Sequence, residues 1–395
     1  MSQGFTLPLR PDVQGLSRVL EATTVRWYAW CCLAAVTCSS VGVIWDISWH
    51  KSIGRDSFWT PAHVLIYLSG ILAGIACGYL IISTTYNKES PLRPSSVKLW
   101  GFRGPLGAFM CAWGGIAMLT SAPFDDWWHN AYGLDVKVLS PPHMLLTLGL
   151  IGIRIGALTL ILSQMNRTIG ELAETLHWML LYLFVFLAAI TVGAVQEFTI
   201  RNYMHSGQFY LLVSIAAPIW LAAVSVVSSK RWACTIVAAM YTSLFLLFIW
   251  ILPLFPAEPK LGPVFFQVKQ MIPPDFPLLL IAPAFAIDLL RPVIRNWDKP
   301  LKAAAMGALF LASFVAAQWP FAYFLMSPLA RNAVFGTHYI PYFVNPETDY
   351  ARYVFTALET SGLQFSLRIA AAVIAAIATS YAGLSWGAWM KRLRR

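Results

Sequence analysis

The chain has 395 residues, of which 58% are hydrophobic and only 12% are charged. A soluble domain is about a quarter charged, and a disordered chain is poor in aromatic residues, which make up 14% here. The composition therefore excludes both classes and indicates a polytopic membrane protein. In that setting the net charge of +10 predicts basic cytoplasmic loops rather than a nucleic-acid partner.

Ten apolar runs come near the roughly 20 residues that a helix needs to cross a bilayer. The eighth is short and interrupted by prolines such as Pro277 and Pro283, so it is either a broken span or a re-entrant segment. We therefore predict an all-α polytopic fold. The runs cover residues 25–47, 59–84, 99–122, 140–164, 174–195, 208–228, 231–254, 274–290, 300–326 and 365–387.

The basic residues between these runs set the predicted orientation. With ten spans they all fall on one side, together with both termini, and the positive-inside rule makes that side cytoplasmic. Residues 1–24 are polar and mixed, which is not typical of a signal peptide. The residues concerned are Arg10, Arg18, Arg26, Lys88, Arg93, Lys98, Arg103, Arg167, Lys230, Arg231, Arg291, Arg295, Lys299, Lys302, Lys391, Arg392, Arg394 and Arg395.

We divide the chain into three parts on this basis. Residues 1–24 form a cytoplasmic N-terminal segment, 25–165 form a four-helix unit, and 166–395 contain six further spans with a long outer loop at 327–364. Within that loop, the helical periodicity of 346–362 predicts an interfacial helix.

Two outer (periplasmic) segments of the four-helix unit repeat one polar pattern. In each, an Asp is followed four residues later by a His, six residues after that by a second Asp, and 13 or 14 residues after the first His by a second His. The first copy contains Asp46, His50, Asp56 and His63. The second copy contains Asp125, His129, Asp135 and His143.

This spacing predicts a pair of metal sites. Residues four apart share one face of a helix, so Asp46 and His50 can bind one ion together. The next helix begins with Thr60 or Ser140 as N-cap and proline at its first position. The second His then lies in the first turn, where the helix dipole disfavours a protonated imidazole. Two His and one carboxylate suit copper, non-haem iron or zinc.

Other polar residues are assigned supporting roles. We expect Asp56 and Asp135 to accept from ligand imidazoles, with Trp49, Arg55 and Asp126 beside the ligands. Arg154, midway along the fourth span, should pair with Asp46, Asp125 or Glu197. Glu197, Arg201 and His205 form either a solvated helix end or a further metal contact. The six cysteines show no CxxC spacing, so no disulfide framework or thiolate site is predicted.

At these motifs the sequence resembles a known family. The string Asp-x-x-Trp-His-x-x-Ile-x-Arg-Asp-x-x-x-Thr-Pro-x-His at 46–63 and the string Asp-Trp-x-His…Asp…Pro-x-His at 126–143 resemble the two ligand segments of the C subunit of particulate methane and ammonia monooxygenases. The resemblance implies one copper site at Asp46, His50 and His63, and an adjacent one at Asp125, His129 and His143.

The resemblance covers residues 45–145 and has three departures. Asp125 stands where the family usually has Asn, Asp126 stands where it has Glu, and about 250 residues follow the second motif, which in the family lies near the C-terminus. The chain therefore looks like a long, divergent relative of that subunit.

The resemblance implies a copper-dependent membrane monooxygenase that activates dioxygen and oxidises a hydrocarbon or ammonia. It further implies a bacterial inner membrane (cytoplasmic or intracytoplasmic), a quinol or other reductant, a homo- or heterotrimer, and partner subunits that include one with a soluble copper domain. Two alternatives stay open: a metal-binding or metal-transport protein without oxygenase activity, and a structural subunit with a vestigial site.

Overall fold

The computed structural model describes residues 26–54, 57–133, 140–198, 203–258, 268–337 and 359–394. Nearly all secondary structure in this part of the chain is helical. The helices are α1 Trp27–Ser52, α2 Pro61–Tyr86, α3 Leu106–Tyr132, α4 Pro141–Met165, α5 Glu171–Phe198, α6 Gly207–Ala216, α7 Pro218–Val227, α8 Ala233–Ile251, α9 Ile281–Val293, α10 Lys299–Met326 and α11 Gly362–Arg392.

The expected all-α membrane fold is confirmed at this level. Within the described residues, nine helical segments are long and apolar enough to cross a membrane. One of them, Gly207–Val227, consists of α6 and α7 joined at Pro218, which cannot donate the backbone hydrogen bond that a continuous helix needs. A small antiparallel hairpin, β1 Val97–Leu99 and β2 Phe102–Gly104, occupies the start of the predicted third run.

The predicted eighth span does not form a full-length helix. An irregular segment runs up to Leu280, and only the 13 residues of α9 are helical. Ser48 lies at the C-terminal end of α1, and its hydroxyl donates to the carbonyl oxygen of Ile272 at 2.5 Å. Asp288, near the other end of the segment, accepts from the backbone N–H of Thr235 at the start of α8. The segment therefore runs from one face of the bundle to the other. Its first half is irregular and its second half is the helix α9.

Polar contacts tie several helix ends together on one face, which we call the basic face. The Asn166 amide donates to the carbonyl oxygens of Met390 and Leu393, and Arg167 donates to the Ser95 hydroxyl. Arg291 donates to the carbonyl oxygens of Ser228 and Lys230 on the same face. The start of α5 joins it through His177 and Ser228. The opposite face carries the C-terminal ends of α1 and α3, and we call it the motif face.

The first four helices close into a ring. Each packs on the next, and α1 packs on α4. Glycines allow the close approaches, since a Cβ on Gly114 would lie 2.7 Å from the Gly149 carbonyl oxygen, and one on Gly70 would lie 3.4 Å from that of Gly115. Small residues are the usual means of close helix packing in membranes. The same device joins α11 to α7 through Gly383 and Gly387.

Candidate metal centre

The first predicted ligand set comes together at the motif face, between α1 and α2. The Nε2 atom of His50 lies 3.6 Å from Oδ2 of Asp46, one helical turn away. The Nε2 atom of His63, from the start of α2, lies 3.3 Å from Oδ1 of the same carboxylate. Asp46 is thus the shared centre of a His–Asp–His triad, with one oxygen facing each ring.

The second ligand set repeats this arrangement between α3 and α4. The Nε2 atom of His129 lies 3.4 Å from Oδ2 of Asp125, and the Nε2 atom of His143 lies 3.5 Å from Oδ1. Because α1–α2 and α3–α4 belong to one ring of helices, the two triads occupy the same end of the same four-helix unit. Each triad draws its carboxylate and first His from one helix and its second His from the next.

The local sequence explains why the second His of each triad points inward. Pro61 and Pro141 start α2 and α4 at their first positions, as predicted. The Ser140 hydroxyl accepts from the backbone N–H of His143 and so acts as a true N-cap. Thr60 holds the N-cap position without capping, because its hydroxyl accepts from the Ser57 N–H instead.

The ring of His63 is oriented by a backbone contact. Its Nδ1 atom lies 3.1 Å from the carbonyl oxygen of Ser57. A carbonyl oxygen can only accept, so Nδ1 carries the proton and, in a neutral ring, Nε2 presents its lone pair. That lone pair faces a carboxylate oxygen of Asp46. Two acceptors at 3.3 Å repel each other unless a cation lies between them, so the arrangement calls for a metal ion or a proton.

Taken in pairs, the distances fit two donors that share a metal ion. Two ligand atoms that each lie about 2.1 Å from one ion at a tetrahedral angle are about 3.4 Å apart. The four His–Asp separations span 3.3 to 3.6 Å, and the two His of each set face different oxygens of the carboxylate. Among the described residues, neither set has three donor atoms within 4.8 Å of one another, so its two His would have to draw together around an ion. The donors are nitrogen and oxygen atoms, a set that copper, iron and zinc accept.

The predicted supporting residues are placed differently from expectation. Asp126 is exposed and accepts from its neighbour Asn130, so it does not join the triad. Trp49 packs against the small cluster of Leu252, Ala257 and Met271. Side chains one residue from a ligand point some 100° away around the helix, which agrees with these contacts. Arg55, Asp56 and Asp135 lie outside the described residues, as do Arg201 and the predicted helix at 346–362.

Arg154 is buried but does not pair with the carboxylates that we expected. Its guanidinium donates to the hydroxyl of Ser40 on α1 at 2.7 Å and to the carbonyl oxygen of Leu150 at 3.0 Å. A guanidinium can satisfy its donors on neutral oxygens inside a helix bundle, and sequence spacing cannot distinguish these from a carboxylate partner. The contact locks α4 to α1 midway along the four-helix unit.

His205 belongs to the other half of the chain. Its Nε2 atom donates to the carbonyl oxygen of Trp319 at 2.8 Å, and its ring lies against Trp319 and Tyr323 of α10. Burial lowers its pKa, and the hydrogen bond to Trp319 partly opposes that shift. His205 is 2% exposed, so it lies in the packed interior and not at a solvated helix end. Glu197 lies within α5.

The structure also brings together a group that cysteine spacing did not indicate. Cys32 of α1, Cys77 of α2 and Cys111 of α3 are buried, and their sulfur atoms all lie within 4.8 Å of one another. The sequence does contain a spacing that could have indicated this group. Each cysteine is 14 residues from a triad ligand on the same helix: Asp46, His63 and Asp125 respectively.

No family model, curated protein or solved structure matches this chain.

Proposed function

We propose that this chain is a copper-binding integral membrane protein of the particulate monooxygenase type, which oxidises a small apolar substrate such as a hydrocarbon or ammonia. One observation carries the proposal: in two consecutive helical hairpins, a pair of imidazole Nε2 atoms lies 3.3 to 3.6 Å from the oxygens of one carboxylate. Carboxylates and imidazoles near membrane depth are costly and are usually functional. A repeated, geometrically matched pair is not expected of interfacial anchors.

The residues of the chain have separate roles in this proposal. Asp46, His50 and His63 would hold one ion, and Asp125, His129 and His143 a second. Copper, when bound there, would supply the activation of dioxygen. Ser57 keeps the Nε2 lone pair of His63 directed at the site through its carbonyl oxygen. The carboxylate of each triad would balance part of the charge of a bound cation.

The apolar surface beside the second triad fits a substrate that arrives through the bilayer. Trp127, Met144 and Leu148 expose large hydrophobic side chains on α3 and α4 next to the ligands. A small hydrocarbon partitions into such surroundings more readily than into water. Access from the lipid would bring it to the triads without crossing a polar loop.

We further assign the basic face to the cytoplasm and the triads to the periplasmic side of a bacterial inner membrane. The clustering of Arg167, Lys230, Arg291 and Lys391 near one face supports this orientation. The reaction requires an external reductant such as a quinol. Partner subunits, including one with a soluble copper domain, and a trimeric assembly complete the proposal.

A second candidate is metal handling without oxygenation. The observation that favours it is the buried thiol cluster in the same four helices as the triads, because thiols are soft ligands that prefer Cu(I). Oxygenation of substrate separates the two candidates, since only the first predicts product.

The test compares three forms of the purified chain loaded with Cu(II). They are the wild type, His50→Ala/His129→Ala, and the matched control Lys51→Ala/Asn130→Ala, which changes the adjacent exposed residues. We expect a Cu(II) electron paramagnetic resonance signal with nitrogen coupling in the wild type and control, and its loss in the double His variant. Equal signals in all three, or none in any, would overturn the assignment. Iron or zinc bound in place of copper, as shown by elemental analysis, would refute the copper identity.

The same three forms decide whether the site is catalytic. With a quinol reductant and oxygen, the wild type and the control should convert a small hydrocarbon or ammonia, and the His variant should not. Metal binding without product in any form, also in native membranes that retain the partner subunits, would favour metal handling over oxygenation.

A further inference from the structure

The thiol cluster lies in the interior of the four-helix unit, away from the triads. Cys32, Cys77 and Cys111 come from three different helices, and each is 0% exposed. The sulfur atoms of Cys32 and Cys77 are 3.7 Å apart, and all three sulfurs lie within 4.8 Å of one another. Three thiols from three helices converge here on one point, and nothing in the proposed oxygenase function uses them.

The register of the helices separates this cluster from the triads by a fixed distance. Fourteen residues lie between Cys32 and Asp46, between His63 and Cys77, and between Cys111 and Asp125. At 1.5 Å per residue this is about 21 Å along the helix axes. Fourteen residues are close to four helical turns, so the cysteine and the triad ligand of each helix lie near the same side of that helix. The thiols lie toward the basic face, and the triads lie at the motif face.

The donor set selects the kind of ion. Sulfur is a soft ligand that prefers Cu(I), zinc or iron–sulfur centres. Structural zinc takes four ligands, and within the described residues no His, Asp, Glu or fourth Cys joins this group. Three converging sulfurs with apolar surroundings match the trigonal coordination of a soft monovalent ion. We propose that Cys32, Cys77 and Cys111 form a buried Cu(I) site, distinct from the two His–Asp–His triads.

Binding at this site needs no redox partner. Copper arrives as Cu(I), each thiol that binds as a thiolate releases one proton, and no electron moves. In the metal-free form, the Cys111 thiol lies 3.4 Å from the carbonyl oxygen of Ile153 and donates to it. That contact ends when the sulfur turns to the metal. The site stays neutral when one thiol releases its proton and the other two bind as thiols, whereas each further proton released adds one negative charge, which burial disfavours.

The competing explanation is that the cysteines are small apolar side chains at a helix crossing, a common use of buried Cys. The chain supplies matched controls for this explanation. Cys31 and Cys38 lie on α1 with Cys32 but are only half-buried and do not join the cluster. A packing role predicts that the two sets behave alike toward Cu(I), whereas a metal site predicts that they differ.

The experiment is an anaerobic titration of the full-length chain in detergent with Cu(I), in competition with a chromogenic Cu(I) chelator. The wild type and Cys31→Ala/Cys38→Ala should take up one tightly held equivalent that Cys32→Ala/Cys77→Ala/Cys111→Ala does not. Equal uptake by all three would overturn the proposal. Single variants at Cys32, Cys77 and Cys111 repeat the comparison with a smaller loss of packing, and each should lower the affinity.

A second measurement identifies the ligands without any variant. X-ray absorption at the copper edge of the wild type with one equivalent of Cu(I) should show a coordination shell of sulfur alone. A shell containing nitrogen or oxygen would contradict the thiol site. This inference stands apart from the proposed function, because His50→Ala/His129→Ala should keep the sulfur-bound Cu(I) while losing the nitrogen-coupled Cu(II) signal. Each proposal can therefore fail while the other holds.

Discussion

His63 and Asp46 meet across two helices, with Nε2 of the imidazole 3.3 Å from Oδ1 of the carboxylate. The other ring nitrogen of His63 is held by the carbonyl oxygen of Ser57, so the ring cannot turn away without losing a hydrogen bond. Asp46 in turn faces His50 through its second oxygen. A single carboxylate therefore organises the first triad, and its charge determines what the triad can bind.

Removing that charge should weaken metal binding at the first triad. Asp46→Asn keeps the shape of the side chain but replaces an anionic oxygen by an amide nitrogen, which is not a metal ligand. Loss of a residue that only hydrogen-bonds to a metal ligand lowers affinity about 10- to 100-fold. We expect the loss of a direct ligand to lower Cu(II) affinity at this triad by at least that much. Competitive titration measures it. Asp126→Asn, which alters an exposed carboxylate paired with Asn130, should leave affinity unchanged, and an equal loss in both variants would contradict the assignment.

Burial of His205 should make stability depend on pH. Burial lowers its pKa from the usual value of 6.5. Below pH 6.5 the imidazole is therefore protonated in the unfolded chain before it is protonated in the folded chain, which favours unfolding. The contribution of the neutral imidazole to stability is fully present above pH 6.5 and is lost as the pH falls toward the folded-state pKa. Thermal unfolding in detergent at pH 7.5 and pH 5.5 tests it. His205→Gln, which retains an N–H donor for Trp319, should show a smaller drop on acidification, and identical drops would refute the linkage.

The tight crossing of α3 and α4 should tolerate no side chain at Gly114. A Cβ there would lie 2.7 Å from both the Gly149 carbonyl oxygen and the Ile153 nitrogen, so Gly114→Ala should destabilise the fold by about 1–3 kcal/mol. Gly74, with nothing within 4 Å of its Cβ position, is the control. Gly74→Ala should be neutral or stabilising by up to about 1 kcal/mol. The measurement is the melting temperature of each variant. A melting temperature of Gly114→Ala equal to or above that of Gly74→Ala would contradict the tight packing at Gly114.

A buried carboxylate should anchor the broken eighth crossing. Asp288 is 2% exposed and accepts from the backbone N–H and the hydroxyl of Thr235, each at 2.8 Å, while pairing with Arg291. Asp288→Ala leaves the N-terminus of α8 without a side-chain acceptor and the half-buried Arg291 with only its carbonyl partners, at a cost of about 1–3 kcal/mol. Asp298→Ala, at an exposed position without a side-chain cap, should change stability by less than about 0.5 kcal/mol. Similar effects of the two substitutions on thermal unfolding would count against the anchor.

Local chemistry made the triads predictable. The spacing of Asp46 and His50 places both on one helix face, and Thr60-Pro61 and Ser140-Pro141 mark where the next helices begin. These signals act within a single turn or a short loop, so they hold whatever surrounds them. The spans were predictable for the same reason, because apolar length alone determines which segments can cross. The eighth run, which is rich in proline, is the exception. Its path through the bundle depends on contacts with Ser48 and Thr235, which the sequence does not show.

Partners across helices were not predictable in the same way. Arg154 contacts Ser40 rather than a carboxylate, Asp126 accepts from Asn130, and Trp49 packs against the cluster of Leu252, Ala257 and Met271. These outcomes depend on how each helix is rotated about its own axis when packed. The rotation follows from where glycines permit backbones to approach, as at Gly114 and Gly149, and one sequence does not reveal which glycines will meet.

The sequence alone determined that this is a helical membrane protein with two copies of an Asp–His–His motif, since hydropathy and spacing within one helix suffice for both. Only the tertiary structure decided that Cys32, Cys77 and Cys111 meet at one point. Those residues are separated by 45 and 34 positions, and no local rule connects them. Their convergence requires three helices to share a register, which is set by packing along their whole length.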